Sequence, residues 1–189
     1  MKSPVFLSAS IPYREPFVRR CDPMAIREAV LALVSVAVRE RLLVFGGHPA
    51  ISPLVEHAAR SLGAVENVHI FQSIWFEDRI TPEARAFKNF HWTKRGAGLQ
   101  ESLDILRRTM IGFAPFSIGV FIGGMEGVIE EFELFGKLLP DAKTLPVAST
   151  GAAAADLLEK ESGPLDFQTR ETLRSSRRYR ALFRALLPD

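Results

Sequence analysis

Gly123-Gly124-Met125-Glu126-Gly127 sets three glycines and a carboxylate where an apolar run, Phe116 to Ile122, gives way to an acidic amphipathic segment. A strand that stops at glycines and restarts as a helix leaves several N–H groups without intrahelical acceptors. The helix dipole adds positive potential at the same point. This is the chemistry of anion binding, above all of phosphate. Leu42-Leu43-Val44-Phe45 running into Gly46-Gly47-His48-Pro49 repeats the arrangement, and two such turns point to a nucleotide-like ligand. Neither turn is a G-x-G-x-x-G dinucleotide fingerprint or a P-loop ending in Gly-Lys-Ser/Thr.

Reactive side chains surround these turns. Glu126, Glu130, Glu131 and Glu133 follow the second one. A carboxylate beside bound phosphate can stabilise an oxocarbenium-like ribosyl transition state or act as a general base. The same glutamates would also suit the solvent face of an acidic helix, where first-turn carboxylates are favourable. Glu131 is the first choice for a catalytic or ribose-binding role and Glu126 the second. Arg107 and Arg108, just before the motif strand, offer charge to the site or complement a helix C-terminus. His48 can donate to a phosphate or cap the next helix. Ser8 and Ser10 after the first strand, and Ser149, Thr150 and Gly151 later, offer phosphate contacts or helix starts. Trp75, Phe76, Phe90 and Trp92 can stack on a base or pack a flap onto the core. His57, His69 and His91 lack metal-ligand spacing, so no metal site is expected and no redox cofactor is required.

These residues need elements to position them. Val5-Phe6-Leu7 reads as a short buried strand, and Pro23 opens a helix to about Glu40 with Asp22 as its cap. Leu42–Phe45 is a second strand, followed by a helix from roughly Ile51 to Leu62. Val68 to Ile74 is a third strand, and 75–98 an irregular functional connection. Leu99, Leu103, Leu106 and Met110 keep helical spacing before the motif strand, as do Val128, Phe132, Phe135 and Leu139 after it. Thr144–Ala148 is the fifth strand, and a basic helix near Thr169–Leu187 closes the chain. Continuously apolar strands alternating with helices indicate a parallel sheet covered on both faces. The expected fold is α/β: a Rossmann-like, doubly wound, mostly parallel sheet of about five strands, binding ligand at its carboxyl edge.

The turn Gly123–Glu131 resembles the Gly-Gly-x-Gly-Thr-x-x-Glu signature of the lysine-decarboxylase-like, Lonely Guy type phosphoribohydrolases. More broadly it resembles the SLOG superfamily of Rossmann-like nucleotide-ligand domains. Gly46-Gly47 is similar to that family's first glycine motif, and Arg107-Arg108 falls where the hydrolases carry Arg-Lys. The likeness runs from Val5 to about Leu158. Ile122 stands in place of the family's proline, Val128 in place of its threonine, and one residue is inserted between the glycines. Aligned from Gly127, the family's glutamate is Glu131, with Glu130 one step away. The resemblance implies nucleotide binding, with Arg107 or Arg108 and Glu131 acting on an N-glycosidic bond if the chain is an enzyme. It also implies a homodimer.

Composition bounds the rest. At 189 residues, 47% hydrophobic and 24% charged, the chain can bury a core and is not disordered. Residues 1–164 form the expected SLOG-type domain, with 165–189 a basic helix docked on it. That tail carries +3 of the +2 total, leaving −1 on the body, so no nucleic-acid partner is expected. The single cysteine, Cys21, forms no intrachain disulfide. No segment spans a bilayer and no secretory signal is read, so the expected location is cytoplasmic. The leading expectation is a sensor-type domain binding a nucleotide-derived molecule through Ser8, Ser10, Gly46, Gly47, His48, Gly123, Gly124, Met125, Glu126, Gly127, Ser149, Thr150 and Gly151. A phosphoribohydrolase and a non-catalytic interaction module are the alternatives.

Overall fold

The computed structural model describes residues 2–161, 163 and 165–187. Six strands, β1 (Val5–Ser10), β2 (Leu43–Gly46), β3 (Val68–Ser73), β4 (Asn89–Thr93), β5 (Ile118–Gly123) and β6 (Lys143–Val147), form one parallel sheet. Their order is β4-β3-β2-β1-β5-β6, so the chain winds outward on one side of β1 and then on the other. The reversal lies between β1 and β5, where open α/β sheets leave a crevice at their carboxyl ends. Val5 pairs with both Leu43 and Ile118, and Ser10 with Gly123.

The helices are α1 (Pro23–Ala37), α2 (Ser52–Ser61), α3 (Pro82–Arg85), α4 (Leu99–Ile111), α5 (Glu126–Leu138), α6 (Ala152–Lys160), α7 (Phe167–Ser175) and α8 (Tyr179–Leu186). Asp22 caps α1 by accepting the Ala25 N–H at 3.0 Å, a contact typically worth about 1 kcal/mol. Side-chain alternation along the strands divides the core. Val5 and Leu7 join Ile26, Val30 and Leu33 of α1 and Phe183 of α8 on one face. Phe6, Val44 and Phe121 join Met110 of α4 and Phe135 of α5 on the other. Ser8 and Ser10 share the parity of Phe6 and so face α4 and α5.

Three expectations are corrected. The sheet has six strands, because Asn89–Thr93 forms β4 inside the stretch expected to be irregular. Among the described residues this edge strand pairs only with β3, and it is mostly half-buried, so it lacks the continuous apolar run of its neighbours. β1 extends through Ser10, which puts Ser8 and Ser10 within the strand rather than after it. The closing helix is two helices, parted at extended Ser176, whose hydroxyl accepts the Arg178 N–H at 3.2 Å. Pro164, at the expected boundary between body and tail, lies outside the described residues. Leu182 and Phe183 of α8 are buried in the same cluster as Val5 and Leu7.

Candidate functional site

The β5–α5 turn is built by Gly123 at φ +59° and Gly124 at φ +92°, left-handed conformations that side chains rarely adopt. Both amides are used inside the protein. The Gly123 N–H donates to Thr150 Oγ1 at 2.9 Å, and that hydroxyl donates to the Val147 carbonyl at 2.6 Å. The Gly124 N–H donates to the Ser10 carbonyl at 2.9 Å. The glycines therefore tie β5 to β1 and β6 rather than presenting their own amides. Among the described residues, the N–H groups of Met125 and Gly127 have no acceptor. The open donors sit one step further along, in the first turn of α5.

The β2 turn is closed as well. Gly46 faces the Met110 thioether. The Gly47 N–H donates to the Phe71 carbonyl at 2.9 Å, and the Gln72 side-chain amide donates to the Gly47 carbonyl. His48 accepts the Ala50 N–H at Nδ1, 3.2 Å away, and burial lowers its proton affinity, so it serves as a neutral turn residue. Ser149 lies 3.4 Å from the Tyr179 hydroxyl, and the Gly151 N–H donates to the Ala148 carbonyl. The β6 turn thus faces the C-terminal helices instead of the crevice, apart from Thr150.

Chemistry converges below the β1–β5 rim, between α4 and α5. Arg107, 9% exposed, pairs with Glu130 and sets its Nε 3.8 Å from a Glu131 carboxylate oxygen. Its guanidinium also lies 3.5 Å from where a side chain on Gly127 would begin. That is an ordinary contact distance, so packing against Arg107 does not by itself require glycine at 127. The Glu131 side chain keeps 18% of its surface exposed but is surrounded by protein, and this desolvation raises its proton affinity. Ser8 and Arg107 oppose the rise, whereas Glu130 adds to it. The Ser8 hydroxyl lies toward Glu131 without closing a hydrogen bond of good geometry. Among the described residues, Ser8 Oγ and Arg107 Nε are both buried polar atoms left unsatisfied. Unsatisfied buried donors are uncommon, and here two flank one carboxyl group. A groove of about 310 Å³ along α4 and α5 is lined by Asp104, Arg107, Glu130, Glu133, Leu134 and Lys137, so it reaches Arg107 but neither Ser8 nor Glu131.

Arg108 is not part of this group: it turns to solvent and pairs with Asp104 one helical turn away, at 2.8 Å. Two participants at the mouth escaped the sequence reading. Arg14, on the loop leaving β1, holds Glu126 at 2.8 Å. The Glu126 carboxyl also takes its own main-chain N–H, and these contacts keep its proton affinity below the usual range. Gln72 covers Gly47. The only signal for Arg14 is its place: a proline-punctuated loop at the carboxyl end of a central strand. Trp75 stacks under the Arg95 guanidinium at 4.5 Å, which gives that aromatic a local partner. A larger, shallow groove of about 780 Å³, lined by arginines of α8 and Glu28 of α1, lies on the opposite face of the sheet.

The profile of the SLOG cluster3 family matches residues 16–187, from just beyond β1 to the end of the described chain. The chain belongs to the SLOG cluster3 family. No curated protein matches it. Within this SLOG cluster3 chain the match takes in Arg107, the Gly123–Gly127 turn, Glu131 and the whole of α8, while Ser8 and Ser10 precede it. The C-terminal helices are therefore part of the family's pattern. No helix among the described residues is long and apolar enough to cross a membrane.

Proposed function

We propose that this SLOG cluster3 chain binds a nucleotide-derived small molecule in the crevice between the carboxyl ends of β1 and β5. The observation that carries this reading is the pair of unsatisfied buried groups, Ser8 Oγ and Arg107 Nε, beneath the open amides of Met125 and Gly127. Arg107 and the amides suit an anionic group, and Glu131 suits a sugar hydroxyl. A thermal-shift panel of nucleoside monophosphates, ADP-ribose, NAD and cyclic nucleotides tests it. A ligand at 100 times its Kd stabilises the fold by about 2.7 kcal/mol, a readily measured rise in Tm. Arg107→Ala is expected to abolish that rise. A panel with no stabilising member removes the reading and favours an interaction module with structural glycine turns.

A second reading has a specific observation behind it. Glu131 combines raised proton affinity with a neighbouring arginine, as a general acid or base requires. On this reading the chain releases free base from a nucleoside monophosphate. Glu131→Gln would then stop release, followed by chromatography, while retaining binding. A wild-type protein that binds a monophosphate and releases no base excludes it. A homodimer is proposed on the resemblance alone, and sedimentation analysis tests that.

A further inference from the structure

α8 lies along α1 on the face of the sheet opposite α4 and α5. At one end Arg177 pairs with Asp22, the cap of α1. At the other the Arg41 guanidinium donates to the Ser3 and Leu187 carbonyls, at 3.0 and 3.4 Å. Between these ties Leu182 and Phe183 join the buried cluster of Ile26, Val30 and Leu33. The outer side of this seam is one groove in two parts, of about 780 and 340 Å³, which share Arg180 and Arg184 as lining residues. None of the large apolar side chains exposed on the described surface lines it, and its one aromatic residue, Tyr179, is buried.

The charges in this groove are not balanced. Elsewhere on the surface Arg19, Arg20, Arg60, Arg108 and Arg174 each hold a carboxylate. Arg39, Arg178, Arg180 and Arg184 are exposed, and among the described residues their side chains hold none. Arg180 and Arg184 stand one helical turn apart, where like charges repel. Arg178 and Arg180 stand at the start of α8, the end whose dipole disfavours cations, and no acidic residue accompanies them there. Helix stability therefore gives no reason for gathering them, whereas an external anion does. Carboxylates close the cationic stretch: Glu28 of α1 lines one end, and Glu40, held by Lys2 at 2.6 Å, lines the other. Helical rise between them sets the length of the stretch at roughly 18 Å. A short, densely charged ligand fits within it, but a long polyanion running past either end meets a like charge.

We propose that the α1–α8 seam binds a small polyanion of the tripolyphosphate type, a chain of linked phosphoryl groups held by Arg180 and Arg184 from α8 and by Arg39 from the end of α1. Guanidinium groups match phosphoryl oxygens with paired, charge-assisted hydrogen bonds. The groove offers no aromatic face for the base stacking of a single-stranded nucleic acid. It offers no bulky apolar side chain for insertion into a membrane surface. The site is separate from the crevice between β1 and β5 and does not depend on the nucleotide reading. A bound chain bridges α1 and α8, so it strengthens the docking of the C-terminal helix on the body.

The probes are tripolyphosphate, inorganic phosphate, poly-L-glutamate and a single-stranded oligothymidylate, titrated calorimetrically into wild type, Arg180→Ala/Arg184→Ala, Arg39→Ala and Arg107→Ala. Tripolyphosphate is expected to bind wild type at a single site, to raise its Tm, and to bind more weakly as salt is added. Loss of charge-assisted hydrogen bonds implies that Arg180→Ala/Arg184→Ala weakens it by about tenfold or more, and Arg39→Ala by several-fold. Arg107→Ala binds it as wild type does, and inorganic phosphate binds far more weakly. Without probe, the seam variants melt at or above the wild-type temperature because like charges have been removed, which separates lost binding from lost folding. Failure of tripolyphosphate to bind wild type overturns the proposal, as does wild-type affinity in both Arg180→Ala/Arg184→Ala and Arg39→Ala. Binding abolished by Arg107→Ala and untouched by the seam variants puts the probe in the crevice, which overturns the seam site and supports the nucleotide reading. Preference for poly-L-glutamate or oligothymidylate over tripolyphosphate makes the seam a macromolecular docking surface and overturns the small ligand.

Discussion

Glu131 is a carboxyl group held where water is scarce, and its charge is set against that of Glu130 beside it. Because burial raises its folded-state proton affinity above the unfolded value, the folded protein is the better proton binder. Stability associated with this group is therefore full at acid pH and lost as pH rises through the folded pKa. Glu131→Gln is expected to melt at or above the wild-type temperature at pH 7, with the difference disappearing towards pH 4. Melting curves for both proteins across that range check it, and a constant difference would contradict burial as the cause. The family resemblance, with Arg107 or Arg108 and Glu130 or Glu131 left open, points to this group, and the structure brings Arg107 together with both glutamates while Arg108 turns away. The fate of the glycine amides was not legible in the sequence. Their acceptors, the Ser10 carbonyl of β1 and the Thr150 hydroxyl in the turn after β6, lie far away in sequence, and no local pattern encodes them. Arg14 was hidden for the same reason: its partner lies 112 residues on.

Elements join these residues into turns and seams. The Gly123 turn ties three strands together, and its left-handed backbone leaves no room for a side chain. A methyl group there would meet Ile26 and lie 2.9 Å from the Ser10 carbonyl. Gly123→Ala should cost about 1–3 kcal/mol in backbone strain alone, read from urea denaturation. The β3–β4 seam carries a different sensitivity. His69 Nδ1 lies 2.9 Å from His91 Nε2, and the two rings stack beside Phe71 and Phe113. Burial lowers the proton affinity of both, as it does for His48. Their contribution is present above the ordinary imidazole value of 6.5 and lost as pH falls through their folded values. The wild-type Tm should therefore fall between pH 7 and 5, and His69→Gln/His91→Gln should flatten part of that fall. The buried strands were readable from their apolar runs. β4 was not, because an edge strand with one partner does not need an unbroken apolar sequence.

At the scale of the molecule, two packed faces and one continuous sheet make a single body, with α8 closing the α1 face. Phe183 is fully buried beside β1 and α1 residues. Phe183→Ala is expected to cost about 3–5 kcal/mol while unfolding remains one transition. Two separate transitions in calorimetry would instead mark the C-terminal helices as an independent unit. The position of β1 in the middle of the sheet has a consequence for synthesis on the ribosome. One side of the first strand finds its neighbour as soon as residues 43–46 emerge, but the other must wait for residues 118–123. For that interval the nascent chain carries an apolar edge with unused main-chain donors and acceptors, a template for pairing with other chains. Late closure of this seam makes refolding slow relative to helical proteins of equal size, and holding by chaperones is most valuable before the second half of the polypeptide is complete.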